Sequence, residues 1–105
     1  MKGKELNNFI ERLKDTCNNL KLKEVEIFTD NNLITTIKVN LFLEHTINKY
    51  YISLNHDNHC YHMLPPKIKN IQENSFYDYN SKEEQRKFRI SFNDNTSLHL
   101  KFEDE

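Results

Sequence analysis

The chain has 105 residues, 36% of them hydrophobic, with 15 basic against 16 acidic side chains and a net charge of −1. That length holds one core and no second domain, so residues 1–105 read as a single domain with a thin, aromatic-rich interior. Balanced charge excludes a global attraction to nucleic acid or an acidic membrane, and a single glycine, Gly3, excludes the glycine-rich cradles and nucleophile elbows of most cofactor and triad enzymes.

At the N-terminus, MKGKELNNF lacks a hydrophobic leader, and no run of eighteen apolar residues follows anywhere, which predicts a cytoplasmic chain with no membrane partner. Leu6, Phe9, Ile10, Leu13, Cys17 and Leu20 recur at helical spacing with Glu11, Arg12, Lys14 and Asp15 off the stripe, so residues 4 to 19 form an amphipathic helix. Asn18 and Asn19 read as its left-handed terminators. Cys17 in this helix and Cys60 in a distant segment are expected as free thiols.

From Lys23 the apolar period becomes two, and a one-residue slip would turn the whole apolar set outward. A loop of Asp30, Asn31 and Asn32 sets Thr29 against Leu33, Ile27 against Thr35, Val25 against Ile37 and Glu24 against Lys38. A second loop, His45 to Asn48, sets Glu44 against Lys49, Leu43 against Tyr50, Leu41 against Ile52 and Val39 against Leu54. Residues 55 to 85 show no sustained period and read as a long connection with short pieces near Lys67 to Ile71 and after Ser81, where Ser81 and Glu84 form a capping box. In the last hairpin, Asp94, Asn95 and Thr96 turn the chain so that Phe88, Ile90 and Phe92 share a face with Leu98, Leu100 and Phe102.

The resulting expectation is an α+β fold: one N-terminal helix packed on a mainly antiparallel sheet of about five strands, over Val25, Ile37, Val39, Leu41, Ile52, Ile90 and Leu100. Phe28, Ile34, Phe42 and Tyr51 fall on the other face, so either residues 55 to 85 or a partner covers them.

Three segments carry chemistry. His56, Asp57, His59, Cys60 and His62 are suitable zinc ligands in type, but all lie on one loop with no second ligand pair, which favours a polar surface loop and no metal. His56, His59, His62 and His99 include the acid–base pair a ribonuclease would need, yet nothing in their spacing brings two of them across a cleft. On the outer face of the last hairpin, Arg89 opposes Lys101 with Lys87 and His99 nearby and Glu103 opposite Lys87. About four cations give a salt slope near −3.6, too shallow for stable nucleic-acid binding without stacking.

The third segment, ENSFYDYNSKEE, interleaves Phe76, Tyr77 and Tyr79 with Glu73, Asp78, Glu83 and Glu84. Aromatics give contact area at low entropic cost and the acids favour a basic counterpart, although the same rings would equally serve to cover Phe28 and Phe42. The expectation is a non-enzymatic binding protein with no cofactor: an immunity protein or inhibitor that lays Glu73, Phe76, Tyr77, Asp78, Tyr79, Glu83 and Glu84 against a basic toxin or nuclease. The alternative is a small nucleic-acid-binding or metal-linked domain using the basic face of the last hairpin or the histidine loop.

Overall fold

In the computed structural model, which describes residues 3–104, the N-terminal stripe forms helix α1 (Lys4–Asn19) and buries Leu6, Phe9, Ile10, Leu13, Thr16 and Cys17. Its start at Gly3 has no side-chain cap. Glycine in that place costs only about 0.3 kcal/mol against a capping side chain, whereas each fully buried side chain such as Leu13 contributes about 1.5–3 kcal/mol, so tertiary burial holds the helix. The helix does not end in a left-handed asparagine. Leu20 takes an extended conformation with its N–H donating to the Thr16 carbonyl, while the Asn19 side chain donates back to the Asp15 carbonyl at 2.8 Å.

The chain then runs through β1 (Lys21–Thr29), β2 (Asn32–Leu41), β3 (Glu44–Ile47), β4 (Ile52–His56) and β5 (His59–Met63). A 3₁₀ turn at Pro65–Lys67 leads into β6 (Ile68–Asp78), β7 (Glu83–Phe92) and β8 (Thr96–Glu103). A five-stranded sheet has the order β2-β1-β8-β7-β6 and a three-stranded sheet the order β3-β4-β5, every pairing antiparallel. The α+β class therefore holds, with one helix, a five-stranded sheet and a second small sheet.

One apolar cluster joins the helix stripe to Leu22, Val25, Phe88, Ile90, Leu98, Leu100 and Phe102 of the large sheet and to Leu43, Ile47, Ile52, Leu54, Tyr61 and Met63 around the small one. Phe88 sits at its centre, edge-to-face with Phe9 at 6.0 Å and with Phe102 at 6.1 Å. Ile37, Val39 and Leu41 pack on its margin, as the period-two reading required.

Register agrees with the sequence reading in part. Glu24 opposes Lys38, Val25 opposes Ile37 and Ile27 opposes Thr35 as expected, but a bulge after Ile27 sets Phe28 against Leu33 and Thr29 against Asn32. The turn is thus two residues, Asp30 and Asn31, both left-handed at φ 51° and 66°, the geometry whose twist matches a tight hairpin. In the last hairpin the faces are as expected while the partners shift by two. Asn93 to Asn95 form the turn, with Asn95 at φ 66° donating to the Phe92 carbonyl, so Phe88 opposes Leu100 and Lys87 opposes Lys101.

Two expectations are corrected. Glu44, Leu43, Leu41 and Val39 do not pair with Lys49, Tyr50, Ile52 and Leu54, because the chain leaves the large sheet after Leu41 and starts a new one. There His45 opposes Leu54 and Ile47 opposes Ile52, around a turn in which Asn48 Oδ1 accepts the N–H groups of Tyr50 and Tyr51 at 2.9 and 3.0 Å. Residues 55 to 85 are not a long connection with a capping box: they supply β5, the eleven-residue edge strand β6 and the start of β7. Of the expected apolar patch they reach Tyr51, whose ring meets His62 edge-on at 4.7 Å, and leave Ile34 and Phe42 uncovered. Ile34 is 62% exposed and Phe42 55%, while Phe28 stacks on His99 with ring centres 4.3 Å apart.

Candidate functional site

Strand alternation divides the histidine run. His56 and His59 oppose each other across the two-residue turn at Asp57 and Asn58 and stack with centroids 4.9 Å apart, on the face that also carries Tyr61. Cys60 and His62 point to the opposite face, where Cys60 Sγ meets Ser53 Oγ at 3.7 Å and His62 packs on Tyr51. No group of three or more His, Cys, Asp or Glu side chains converges on a metal-sized site among the described residues. His56 is instead a buried structural group whose Nε2 lies 2.7 Å from Tyr61 Oη. The cysteines are both free: Cys60 is exposed, and burial pushes the Cys17 thiol up to about 12.

On the helix-free face of the large sheet, Lys87 opposes Lys101 and Arg89 opposes His99, rather than Arg89 facing Lys101 and Glu103 facing Lys87. Burial and Arg89 lower the His99 pKa against a small opposing pull from Glu26. Glu103 instead opposes Gln85, whose amide donates to it at 3.0 Å, and pairs with Lys101 at 3.2 Å.

The segment with aromatics and acids forms the far end of the β6–β7 hairpin. Phe76 opposes Gln85, Tyr77 opposes Glu84 and Asp78 opposes Glu83, with Tyr79 to Lys82 as the turn. Phe76, Tyr77 and Tyr79 are 62%, 44% and 84% exposed, and the rings of Tyr77 and Tyr79 meet edge-to-face at 4.9 Å. A backbone N–H from Asn80, then the Ser81 side chain, hold the Asp78 carboxyl below its ordinary 3.8, so it is ionised at neutral pH.

The seven predicted site residues do not act alike. Phe76, Tyr77, Asp78, Tyr79 and Glu83 cluster at the hairpin end. Glu84 is next to them but accepts the Arg86 guanidinium at 2.7 and 3.0 Å. Glu73 lies about 13 Å further down the strand, beside α1, where Arg12 grips both its carboxylate oxygens and Ser75 donates to it. Its carboxyl is held below the ordinary 4.5 chiefly by Arg12, which marks it as a tie between helix and sheet.

Two carboxylates that the sequence reading did not include join the end. Asp104 accepts the Glu84 N–H through both oxygens at 3.1 Å, and Glu103 adjoins Gln85. With Phe76, Glu83, Glu84 and Gln85 they line a shallow depression of about 130 Å³. The acidic C-terminal run was visible in the sequence, but its place depended on the two-residue register shift in the last hairpin.

Such an end presents carboxylates beside exposed rings. Lysine and arginine side chains pair with the first and lie over the second. No helix among the described residues is long and apolar enough to cross a membrane. Compared with family models, curated proteins and solved structures, the chain matches none.

Proposed function

We propose that this chain is a non-catalytic binding protein whose acidic, aromatic hairpin end occupies a basic surface of another protein, as an immunity protein or inhibitor does toward a toxin or nuclease. The observation that carries the reading is the gathering of Phe76, Tyr77 and Tyr79, all exposed, with Asp78, Glu83 and Asp104 at one end of the sheet. Rings of this size fill a partner's pockets, while carboxylates around them speed encounter with a cationic surface and reject anionic ones. Occupation of a substrate cleft by such an end would block it both sterically and electrostatically. A cytoplasmic location suits a partner made in the same cell.

Affinity capture from the native host, run in parallel with wild type, Phe76→Ser/Tyr79→Ser and Glu83→Lys/Asp104→Lys, tests the reading. A basic protein retained by wild type, released by salt and lost from both variants supports it. Capture that is equal for all three chains overturns it. All four side chains are exposed, and among the described residues only Asp104 gives up a hydrogen bond, the one it accepts from the Glu84 N–H, so thermal melts of the variants, recorded beside the capture, separate lost binding from lost folding.

A further inference from the structure

The helix-free face of the large sheet carries charges in columns. β8 is the central strand, flanked by β1 and β7. Across one row of the register Glu24 on β1, Lys101 on β8 and Lys87 on β7 stand side by side, and across the next Glu26, His99 and Arg89. The strand on one side of β8 is therefore acidic and the strand on the other basic, each about 4.8 Å from it.

None of Glu24, Glu26, Lys87 and Arg89 forms an ion pair within the chain among the described residues. By contrast, Lys101 is paired with Glu103 at 3.2 Å, and the His99 ring is stacked on Phe28. The charges without an ion pair are thus the columns of β1 and β7, Glu24 facing Lys38 of β2 across the strands without contacting it, while Lys101 of the central strand is paired.

From this juxtaposition we infer that the face is self-complementary and that its partner is a second copy of this chain, packed face to face about a two-fold axis parallel to β8. Rotation about that axis exchanges the positions of β1 and β7. Glu24 then lies over Lys87 of the second copy and Glu26 over Arg89 of the second copy, and symmetry repeats both pairs. An axis across the strands would stack acid on acid, so charge selects one of the two face-to-face arrangements.

A polyanion fits the face less well. The acidic column is about 9.6 Å from the basic one, little more than the Debye length of about 8 Å at physiological salt, and so still opposes a phosphate chain that spreads over the sheet. The sheet face measures roughly 20 Å each way, on the order of 400 Å² per copy, the size of a weak and reversible contact. This inference uses residues outside the acidic hairpin end and stands or falls apart from it.

Sedimentation equilibrium on the full chain tests it. Wild type should associate to a dimer at high protein concentration and dissociate as salt rises. Glu24→Lys/Glu26→Lys and Lys87→Glu/Arg89→Glu should each weaken association at least about tenfold, and the four changes together should restore it to within about threefold of wild type. Should a reversal compromise folding, the corresponding glutamine pairs supply the same comparison without inverted charge. A monomer at all concentrations, a dimer indifferent to either column, or no restoration in the fourfold variant overturns the proposal. So does a monomer that binds single-stranded oligothymidylate through Lys87 and Arg89.

Discussion

Arg86 of β7 donates from Nη1 to the Asp15 carboxylate of α1 at 2.6 Å, and the same nitrogen reaches Thr16 Oγ1 at 2.9 Å. Its other side is filled by Glu84, so an arginine only 7% exposed has a partner on each edge of its guanidinium. Arg12, one turn back on the same helix face, grips Glu73 on the neighbouring strand. Two guanidinium ties, anchored three to four residues apart on the helix, fix the rotation of α1 over β6 and β7, which apolar contacts alone would leave loosely specified. Burying a charge carries a desolvation penalty that pairing mainly offsets, so the ties serve specificity more than net stability.

Arg86→Ala removes the pairing and the stem that packs beneath the helix, and should destabilise by about 2–4 kcal/mol. Arg86→Met keeps the stem but leaves the Asp15 and Glu84 carboxylates without their partner, and because both are partly open to water it should cost less than the alanine, about 1–2 kcal/mol. In a domain of this size 1 kcal/mol moves the melting temperature by about 4–8 °C, so calorimetry resolves the two. Equal losses for both variants would mean that the charge, not the stem, matters.

Acid should weaken the fold in two stages. His99 has a folded pKa below its ordinary 6.5, through burial and then Arg89, so the unfolded chain takes its proton first. The stability this contributes is complete above about 6.5 and is lost as pH falls through the lower folded value. Asp15 and Glu73 are held below 3.8 and 4.5 by hydrogen bonds from Arg86 and Arg12, opposed by burial, so their contribution is complete above those values and lost below them. Melting temperatures recorded from about pH 8 to about pH 3 should decline in both ranges. His99→Gln should flatten the upper decline only, and Asp15→Asn/Glu73→Gln the lower only.

These differences show what sequence patterning can carry. The helix and the facing strands β1, β7 and β8 were legible because one side of each is apolar and the other is not, which makes parity observable. β6 was illegible for the opposite reason: as an edge strand it is exposed along nearly its whole length past Ile68, so neither face imposes an alternation. Ile52 and Leu54 of β4 were read as strand, but its partner β5 was read as part of a connection because its polar positions are mostly histidines, although the Asp57–Asn58 turn repeats the Asp30–Asn31 signal of the first hairpin. The break after Leu41 had no glycine or proline to announce it. At the hairpin end, the aromatics and Asp78 follow from local sequence, whereas Glu103 and Asp104 required a register that parity arguments determine only to within two residues.

The small sheet should depend on one polar contact. His56 is buried, its Nε2 lies 2.7 Å from Tyr61 Oη, and its Nδ1 has no hydrogen bond, the Asp57 carboxylate at 3.5 Å lacking the alignment for one. Tyr61→Phe would leave both ring nitrogens without a partner in the interior and should destabilise by about 1–3 kcal/mol. His56→Leu removes the polar ring altogether, and the double variant should therefore lose less than the sum of the single changes. Chemical denaturation of the four proteins measures that coupling; strict additivity would show that the contact contributes nothing.

Lys82, the last residue of the turn between β6 and β7, has φ 59°, a conformation in which an L side chain crowds its own carbonyl. Among the described residues four other non-glycine positions have positive φ, and all of them are Asp or Asn, whose short side chains tolerate it. Lys82 is exposed and forms no ion pair among the described residues, so its side chain gives nothing in return. Lys82→Gly should stabilise the hairpin by about 0.5–1 kcal/mol, because relief of the left-handed strain exceeds the added freedom of the unfolded chain, while Lys82→Asn should gain part of that amount. Lys82→Val should lose stability by a similar margin, since a β-branched side chain fits this region worst. The order Gly, Asn, Lys, Val in denaturant midpoint at unchanged slope is the expected result, and a glycine variant less stable than wild type would show that the turn relaxes to another conformation in solution.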